Sequence, residues 1–556
     1  MILNRVKHRL VVGFMAIFWI VLFFVPNALA DTVGDRRTFF VNSLYDASSR
    51  TSISASLINV SSKAYFYVED GYTDKLSSSE LTLFNQRLQS LAQEFDNVIY
   101  PKETEFWGSE PNPGIDKDPR ITILVQRLTP STGGYFDTVN GYSLAQVNNS
   151  NQREMITISI DTLGNSHVSS FLSHEFQHLI SFNQKELLRD TTEEIWLNEL
   201  RSQYAVTVAG YNQDFRNSDL SNRLRSFLDK PTDSLTEWMS SNLDYAPVTL
   251  FGHYLVDRFG PSILQETLHG SSNGIDSINA YLSSRHQFEN FSDIFADWEW
   301  ATYFNNQAQD SRYGYTNPSL KYIQVSPTEL RQLNASGPNM FSYSLKPWQP
   351  MWNQFILDSR ASASKNIKFS WQGSGFQVSY ADASGVPRLL NNGDVVTQSK
   401  SGFVLMPTYI AKTSGFGNTE PSVPLALTIE YTDQPTTNTS SVLKDGALIA
   451  HAGTPDTYVI WGTYKRYLAP EVLKFYGLEN IKVNIVPEAV FQSYMPSNYI
   501  RAIDEKKVYA VWPDGTKHWL NMTAQTFTDS YRDWNSVFIV NNLESNFYRI
   551  GADIKN

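Results

Sequence analysis

The sequence predicts an α+β protein, and three observations support that class. Residues 40–170 alternate short apolar runs with an amphipathic helical pattern, whereas residues 166–305 are mostly helical patterns. From about residue 325 the chain changes to strands of period two separated by glycines, and the last hundred residues contain one motif twice. We therefore divide the chain into an N-terminal segment (1–30), a mixed-sheet part (31–170), a helical part (171–322), a β-sandwich-like domain (323–433), a linker (434–445) and a repeated α+β module (446–556).

The first 30 residues have the pattern of a secretory signal. Three basic residues, Arg5, Lys7 and Arg9, precede the apolar run Leu10–Val25, and Ala28–Ala30 supplies the small residues that signal peptidase needs. The alternative is an uncleaved membrane anchor, although the run is shorter than the roughly 20 residues of a spanning helix. We expect cleavage and a secreted or extracytoplasmic protein that touches a membrane only through an uncleaved signal.

Composition limits the possible partners and ligands. The chain has 556 residues and no cysteine, which excludes disulfides and thiolate metal sites, so that any metal must be held by His, Asp or Glu. The formal charge is −11 without a basic stripe, which argues against nucleic-acid binding. The length favours two to four domains.

The mixed-sheet part shows three predicted strands and a helix. Ala64–Val68 and Ile121–Val125 are short apolar runs, and Ser77–Phe95 has helical periodicity with a capping box completed by Glu80. Arg153–Asp161 alternates isoleucine with smaller residues, which predicts a strand with one exposed face at a sheet edge. The sequence leaves open whether residues 31–60 form a propeptide.

Three more helices and two similar hairpins are predicted from patterns of the same kind. Helical patterns occupy Ile195–Val208, Val248–Phe259 (ended by Gly260) and Asp293–Tyr303. Tyr458–Leu468 (YVIWGTYKRYL) and Tyr509–Leu520 (YAVWPDGTKHWL) each predict a hairpin followed by a short helix, and such repeats usually pair with each other. Their aromatic side chains either pack or bind a cell-wall or surface polymer, and both interpretations stay open.

The main chemical motif is His174-Glu175-Phe-Gln-His178. On a helix, residues i and i+4 lie on one face, so both imidazoles can reach a single metal ion. The intervening Glu175 is rotated by about 100° from His174 and falls beside an open coordination position.

A hydrolytic zinc site usually takes three protein ligands and a water. His178 is followed by LISFN, which excludes the metzincin spacing. A thermolysin-like site takes its third ligand, a glutamate, from a second helix. Of Glu193, Glu194 and Glu199, only Glu199 lies in the middle of a helical pattern, so we assign it as the third ligand.

HEFQHLISFN followed by WLNE resembles the gluzincin clan, and within it the hyicolysin-type bacterial metallopeptidases. The similarity spans roughly residues 60–320 and includes IDKDPRITILV, GGYFD, REMITISID, DYAPVTLFGHYLVDRFG and FADWEWATYF. The resemblance implies a zincin-like catalytic domain with a mixed-sheet and a helical subdomain. It also implies that His174, His178 and Glu199 bind one Zn²⁺, and that Glu175 is the general base and later the acid.

The resemblance makes finer suggestions about substrate contacts. The strand Glu154–Asp161 would pair with an extended peptide. Tyr245 would donate to the oxyanion, or it is a packing residue at a helix start, and His253 is a weaker candidate for the same role. The edge strand lacks the G-x-M-E-N element of clan aminopeptidases, which favours an endopeptidase.

Some positions depart from the family pattern. Leu200 stands where a glycine usually follows the ligand glutamate, which puts the packing beside the metal in question. Gln203 stands where thermolysin-like enzymes have an aspartate that orients a histidine. Asp116 and Asp118 lie in a turn that either binds Ca²⁺ or merely forms a turn.

The function we expect is a secreted zinc endopeptidase that acts on protein or peptide substrates. The alternative is a cell-surface or cell-wall binding protein in which the zincin domain is vestigial.

Overall fold

The computed structural model describes residues 30–555 with short gaps at 286–288, 309, 361–364, 383–384, 398–401, 437–442, 444, 452, 477, 479–482 and 503–504. The predicted signal segment lies outside the described residues except for Ala30, and so does most of the predicted linker. Within the described residues, no helix combines the length and apolar character needed to cross a membrane. The architecture is mixed α+β, as predicted, and the boundaries between the parts stay a prediction.

In the described part of the chain, six strands form the first sheet: β1 (Arg36–Phe40), β2 (Ser52–Val60), β3 (Ala64–Glu69), β4 (Ile121–Gln126), β5 (Gly134–Phe136) and β6 (Met155–Ser159). Their order is β1-β2-β3-β4-β6-β5. The central strands β3, β4 and β6 run parallel, and β5 is antiparallel to β6.

The prediction that Arg153–Asp161 lies at the sheet edge is wrong. The strand β6 lies between β4 and β5, and all five of its residues are buried. Ile156 and Ile158 join the main core, whereas Met155 joins a smaller cluster on the other side of the sheet. The alternation therefore separates two buried faces, and the edge strand on this side of the sheet is the short β5.

Residues 31–60 are part of this folded unit. The strands β1 and β2 extend the sheet beyond β3. The buried carboxylate of Asp31 accepts hydrogen bonds from Arg37 and Tyr67 and pairs with Arg153. Burial alone would raise the pKa of Asp31, but these partners lower it to about 2.

The helices of the first half are α1 (Ser78–Glu94), α2 (Tyr100–Trp107), α3 (Val168–Ser181), α4 (Ile195–Ala209), α5 (Asp219–Asp229), α6 (Tyr245–Phe259), α7 (Ser262–His269), α8 (Gly274–Arg285) and α9 (Phe291–Phe304). The predicted capping box of Ser77 and Glu80 opens α1, and α6 ends at Gly260 as expected. The buried faces of α3, α4, α6 and α9 meet the sheet in one core.

Two further sheets face each other after α9. One has the order β13-β10-β15-β8 and the other β12-β11-β14-β9-β7, and buried residues from both form one cluster. The strands are β7 (Glu329–Gln332), β8 (Asn339–Leu345), β9 (Asn353–Ile356), β10 (Asn366–Gln372), β11 (Phe376–Asp382), β12 (Arg388–Leu390), β13 (Val395–Thr397), β14 (Phe403–Tyr409) and β15 (Val423–Thr432).

The C-terminal repeats have matching topologies, β19-β16-β17-β18-β20 and β24-β21-β22-β23-β25. Their strands are β16 (Leu448–His451), β17 (Thr457–Trp461), β18 (Tyr464–Leu468), β19 (Asn484–Val486), β20 (Met495–Pro496), β21 (Tyr499–Ala502), β22 (Tyr509–Val511), β23 (Thr516–Trp519), β24 (Val537–Val540) and β25 (Arg549–Ile550), and their helices are α10 (Pro470–Phe475), α11 (Glu488–Ser493), α12 (Ala524–Asp529) and α13 (Asn542–Phe547).

The two repeats pair as predicted. Residues of both share a core cluster, and Arg466 of the first repeat forms a buried ion pair with Glu544 of the second. Tyr476 also donates to Glu544, at 2.5 Å. A buried charge without such a partner would be costly, so this contact favours the paired arrangement.

Buried hydrogen bonds join α9 to the sheets that follow it. Nε1 of Trp300 donates to Oγ of Ser379 at 2.7 Å, and Oγ1 of Thr408 donates to Oε2 of Glu299 at 3.0 Å. Burial raises the pKa of Glu299 from 4.5 to about 8. This carboxyl group is therefore mostly neutral at pH 7, inside an interface.

This burial predicts a pH-dependent stability that Glu299→Gln should remove. Glu299 binds its proton more tightly in the folded chain, so the wild type loses stability as pH rises from 4.5 to about 8. The variant has no such proton to lose, and its advantage in free energy of unfolding should grow by about 3 kcal/mol up to pH 7. Thermal melting across this pH range tests it, with the exposed Glu471→Gln as control. Parallel pH profiles for wild type and Glu299→Gln would contradict the assignment.

Candidate functional site

Two buried helices carry the predicted metal ligands. The helix α3 holds His174, Glu175 and His178, and its apolar residues, such as Phe176 and Leu179, pack into the main core. The helix α4 contributes Glu199 from a segment flanked by buried residues. The chain thus brings together the residues that its sequence singled out.

The ligand atoms converge on one point. Nε2 of His174 lies 3.1 Å from Nε2 of His178 and 3.2 Å from Oε2 of Glu199. Nε2 of His178 lies 3.6 Å from the same Oε2, so the three atoms form a triangle. Among the residues that the structure describes, these three form the one group of His, Asp and Glu able to hold a metal ion.

This triangle fits a tetrahedral zinc ion. Ligands about 2.1 Å from such an ion lie about 3.4 Å from each other, close to the observed spacing. Oε2 of Glu199 is buried and has no hydrogen-bond partner among the described atoms. A metal ion would satisfy this oxygen, since a buried carboxylate oxygen without a partner is costly.

The charged groups of this site shift one another's pKa values. Burial favours a neutral Glu199, but His178 and His174 outweigh it and lower the pKa of that carboxyl. Burial likewise favours a neutral His178, yet Glu199 raises its pKa above the usual value. Burial raises the pKa of Glu175, partly offset by the two histidines.

Neighbours on α4 hold the two imidazoles. Oγ of Ser202 donates to Oε1 of Gln177 at 2.5 Å and lies 3.0 Å from Nδ1 of His178. The serine oxygen can therefore accept Nδ1–H, which leaves the Nε2 lone pair of His178 directed at the cluster. The amide nitrogen of Gln203 lies 3.3 Å from Nδ1 of His174, so a group that can only donate stands where the family pattern has an accepting aspartate.

Two glutamates near α4 have structural partners instead. The side chain of Glu193 is only 4% exposed, accepts a hydrogen bond of 2.6 Å from Arg201 and lies 3.5 Å from Lys185. Glu194 is the N-cap residue of α4. The choice of Glu199 among the three glutamates therefore agrees with their placement.

Leu200, which departs from the family pattern, fits beside the cluster because of a glycine on α6. A Cβ atom on Gly252 would lie 2.9 Å from Cδ2 of Leu200. The bulk of Leu200 thus fills the space that Gly252 leaves, and the departure does not displace Glu199.

Glu175 lies between the cluster and the edge strand β5. A Cβ atom on Gly134 would be 3.0 Å from Cγ of Glu175 and 3.4 Å from its Oε1. The open edge of β5 therefore runs directly beside this carboxylate.

Tyr245 is the first residue of α6 and lies beside the cluster. Its ring centroid is 6.1 Å from that of His174 and 4.9 Å from that of Trp238, and the guanidinium of Arg223 lies 4.5 Å above it. Glu199, burial and Glu175 together raise the pKa of its phenol. The hydroxyl therefore stays protonated and able to donate.

Tyr45 is a residue that sequence reasoning missed. It stacks on Tyr135 of β5 at 5.0 Å, and besides burial the charges of Glu175 and Glu199 raise its pKa. It belongs to the connection between β1 and β2, more than a hundred residues before the motif. No local pattern could have identified it.

Two other candidates lie elsewhere or have other partners. His253 is buried, lies 3.4 Å from Oγ1 of Thr207, and burial lowers its pKa to about 4. Asp118 accepts a hydrogen bond of 2.6 Å from Tyr65 and also pairs with Arg120. These contacts give no support to calcium binding at Asp116 and Asp118, one of the two alternatives left open for that turn.

Comparisons with known proteins give one relative in sequence. The neutral metalloprotease ShpI of Staphylococcus hyicus is 28% identical over 279 residues, which is 45% of this chain. The match spans 59% of the length of ShpI. No family model matches the chain.

Comparison with solved structures gives short matches. Periplasmic inhibitors of g-type lysozyme from Salmonella Typhimurium and Aeromonas hydrophila match 19% of this chain and 98% and 96% of their own. Their identities are 10% and 13%, with TM-scores of 0.15 and 0.14. A likeness this small carries no argument about fold or function.

The contact between Ser202 and His178 predicts that Ser202→Ala weakens zinc binding. Without the serine oxygen, the ring of His178 loses the partner that fixes its tautomer, and affinity should fall about 10- to 100-fold. Competition with a chelating dye measures this directly. Thr207→Ala is the matched control, since its hydroxyl contacts His253 from the same helix. Equal affinities for Ser202→Ala and wild type would contradict the role of Ser202.

Proposed function

We propose that this protein is a secreted zinc-dependent endopeptidase of the gluzincin type, with a zincin-like catalytic domain. The observation that carries the proposal is the triangle of Nε2 of His174, Nε2 of His178 and Oε2 of Glu199. The partial similarity to a neutral metalloprotease supports it independently of geometry.

His174, His178 and Glu199 are the residues that would hold one catalytic zinc ion. Bound there, the ion would polarise a carbonyl group and increase the acidity of a water molecule. Glu175, which follows His174 on α3, would take the proton from water and pass it to the leaving amine. The phenol of Tyr245 would donate to the developing oxyanion.

An extended peptide fits along β5. This strand is one of the two edge strands of the sheet, and its partner β6 occupies only one side. A substrate strand added at the free side would pass beside Glu175, because Gly134 packs against that side chain. The role first given to Glu154–Asp161 therefore moves to Gly134–Phe136, and this strand contains no carboxylate to hold a free amine.

A second function, binding of a surface polymer, is favoured by one observation on the C-terminal module. Trp461 and Trp512 occupy the same hairpin position in the two repeats, and they remain 42% and 46% exposed. One face of Trp512 stacks on His518, with ring centroids 3.7 Å apart. The aromatic surface that remains exposed on the two repeats suits a ligand that itself repeats, such as a cell-wall glycan.

The proposed chemistry predicts that Glu175→Gln keeps its zinc and loses turnover. The substitution preserves shape but removes the proton acceptor, so kcat on casein should fall by at least about a thousandfold. Zinc per chain and cleavage rate are the measurements, and Glu186→Gln, on the same stretch of chain, is the control. A Glu175→Gln variant that cleaves casein at the wild-type rate would refute the assignment.

The polymer-binding proposal predicts that Trp461→Ala and Trp512→Ala each weaken co-sedimentation of the whole chain with insoluble peptidoglycan. The double variant should lose most binding, because bivalent attachment depends on both sites. Tyr531, 99% exposed, provides the control Tyr531→Ala. Unchanged sedimentation of the double variant would exclude this surface.

A further inference from the structure

The β-sheets that follow α9 contact the segment leading into α6. Residues 234–238 make three hydrogen bonds to this part of the chain. Oγ of Ser234 donates to the carbonyl of Pro347, and the N–H of Leu235 donates to the carbonyl of Trp348. The N–H of Trp238 donates to the carbonyl of Gly417. Residues 411–420, here called the interface loop, thus contact this segment through the backbone hydrogen bond between Trp238 and Gly417.

A buried charge network reinforces this junction. The carboxylate of Glu237 accepts two hydrogen bonds from Nζ of Lys346, at 2.6 and 2.5 Å, and one from the N–H of Glu420 at 2.8 Å. Glu420 in turn pairs with Lys412 and accepts from the N–H of Gly417. Glu237 is only 4% exposed, so loss of its cation would leave a buried carboxylate compensated only by the backbone N–H of Glu420.

The same loop reaches the helix that carries the third ligand. The N–H of Gly415 donates to Oε1 of Glu194 at 2.7 Å. Glu194 is the N-cap residue of α4, and Glu199 follows within the next two turns. The interface loop therefore contacts both the segment that leads into α6 and the start of α4, the helix that carries Glu199.

Trp238 connects these contacts to the three metal-ligand candidates through Tyr245. Its indole ring meets the ring of Tyr245 edge-on, with centroids 4.9 Å apart and planes at 79°. Arg223 lies on the ring of Tyr245 as well, and His174 lies beyond it. The ring of Tyr245 thus packs against Trp238, and the backbone N–H of Trp238 is hydrogen-bonded to the interface loop.

We propose that the β-sandwich is a positioning element for Tyr245, acting through Lys346, Glu237 and Trp238. This inference rests on the proposed function. The sheets are then part of the catalytic unit, and their removal or loosening slows the reaction without removing the metal ligands.

Lys346→Met tests the proposal. The variant should keep its zinc and its KM, whereas kcat on a peptide substrate falls about tenfold because the donor is displaced. Lys346→Arg, which restores the ion pair, should recover most of the rate. Lys368→Met is the matched control, because Lys368 is also 30% exposed and pairs with a glutamate, Glu430, on the same sheets. If Lys346→Met were unstable, Glu237→Gln, which keeps the size of the side chain, replaces it.

A double-mutant cycle shows whether the effect passes through Tyr245. If it does, Lys346→Met should cost about tenfold in the wild type and almost nothing in Tyr245→Phe. Unchanged kcat in Lys346→Met, or equal losses in both backgrounds, would overturn the inference. A wild type that cleaves no peptide would overturn the proposed function and this inference together.

Discussion

Three ligand atoms, two imidazole nitrogens and a carboxylate oxygen, face one another within 3.6 Å inside the protein. Such an arrangement is stable only if a cation or well-placed hydrogen bonds compensate the burial. The surrounding structure maintains it. The Glu193–Arg201 ion pair fixes the start of α4, Gly252 makes room for Leu200, and Ser202 sets the orientation of His178.

The sequence predicted the parts of this site that depend on local spacing. His174, Glu175 and His178 share a helical face because four residues complete about one turn. Glu199 was identifiable because its neighbours continue a helical pattern, whereas Glu193 and Glu194 precede it. The capping box at Ser77 and the paired C-terminal hairpins were equally local signals.

Other features depend on tertiary contacts that no local pattern records. The alternation around Ile156 is the same for a strand with one exposed face and for a strand buried on both faces, so the edge assignment failed. Tyr45 reaches the site from the other end of the domain, by stacking on Tyr135. Gln203 stood in the expected orienting position, but its contact with His174 required the packing of α4 against α3.

The central claim is that His174, His178 and Glu199 hold one zinc ion. The most direct measurement is anomalous scattering from crystals of the zinc-loaded protein, recorded on both sides of the zinc absorption edge. A zinc ion held by these residues would give one strong anomalous peak, about 2.1 Å from Nε2 of both histidines and from a carboxylate oxygen of Glu199. A zinc-loaded crystal with no peak between these atoms, or with its peak at another site, would contradict it.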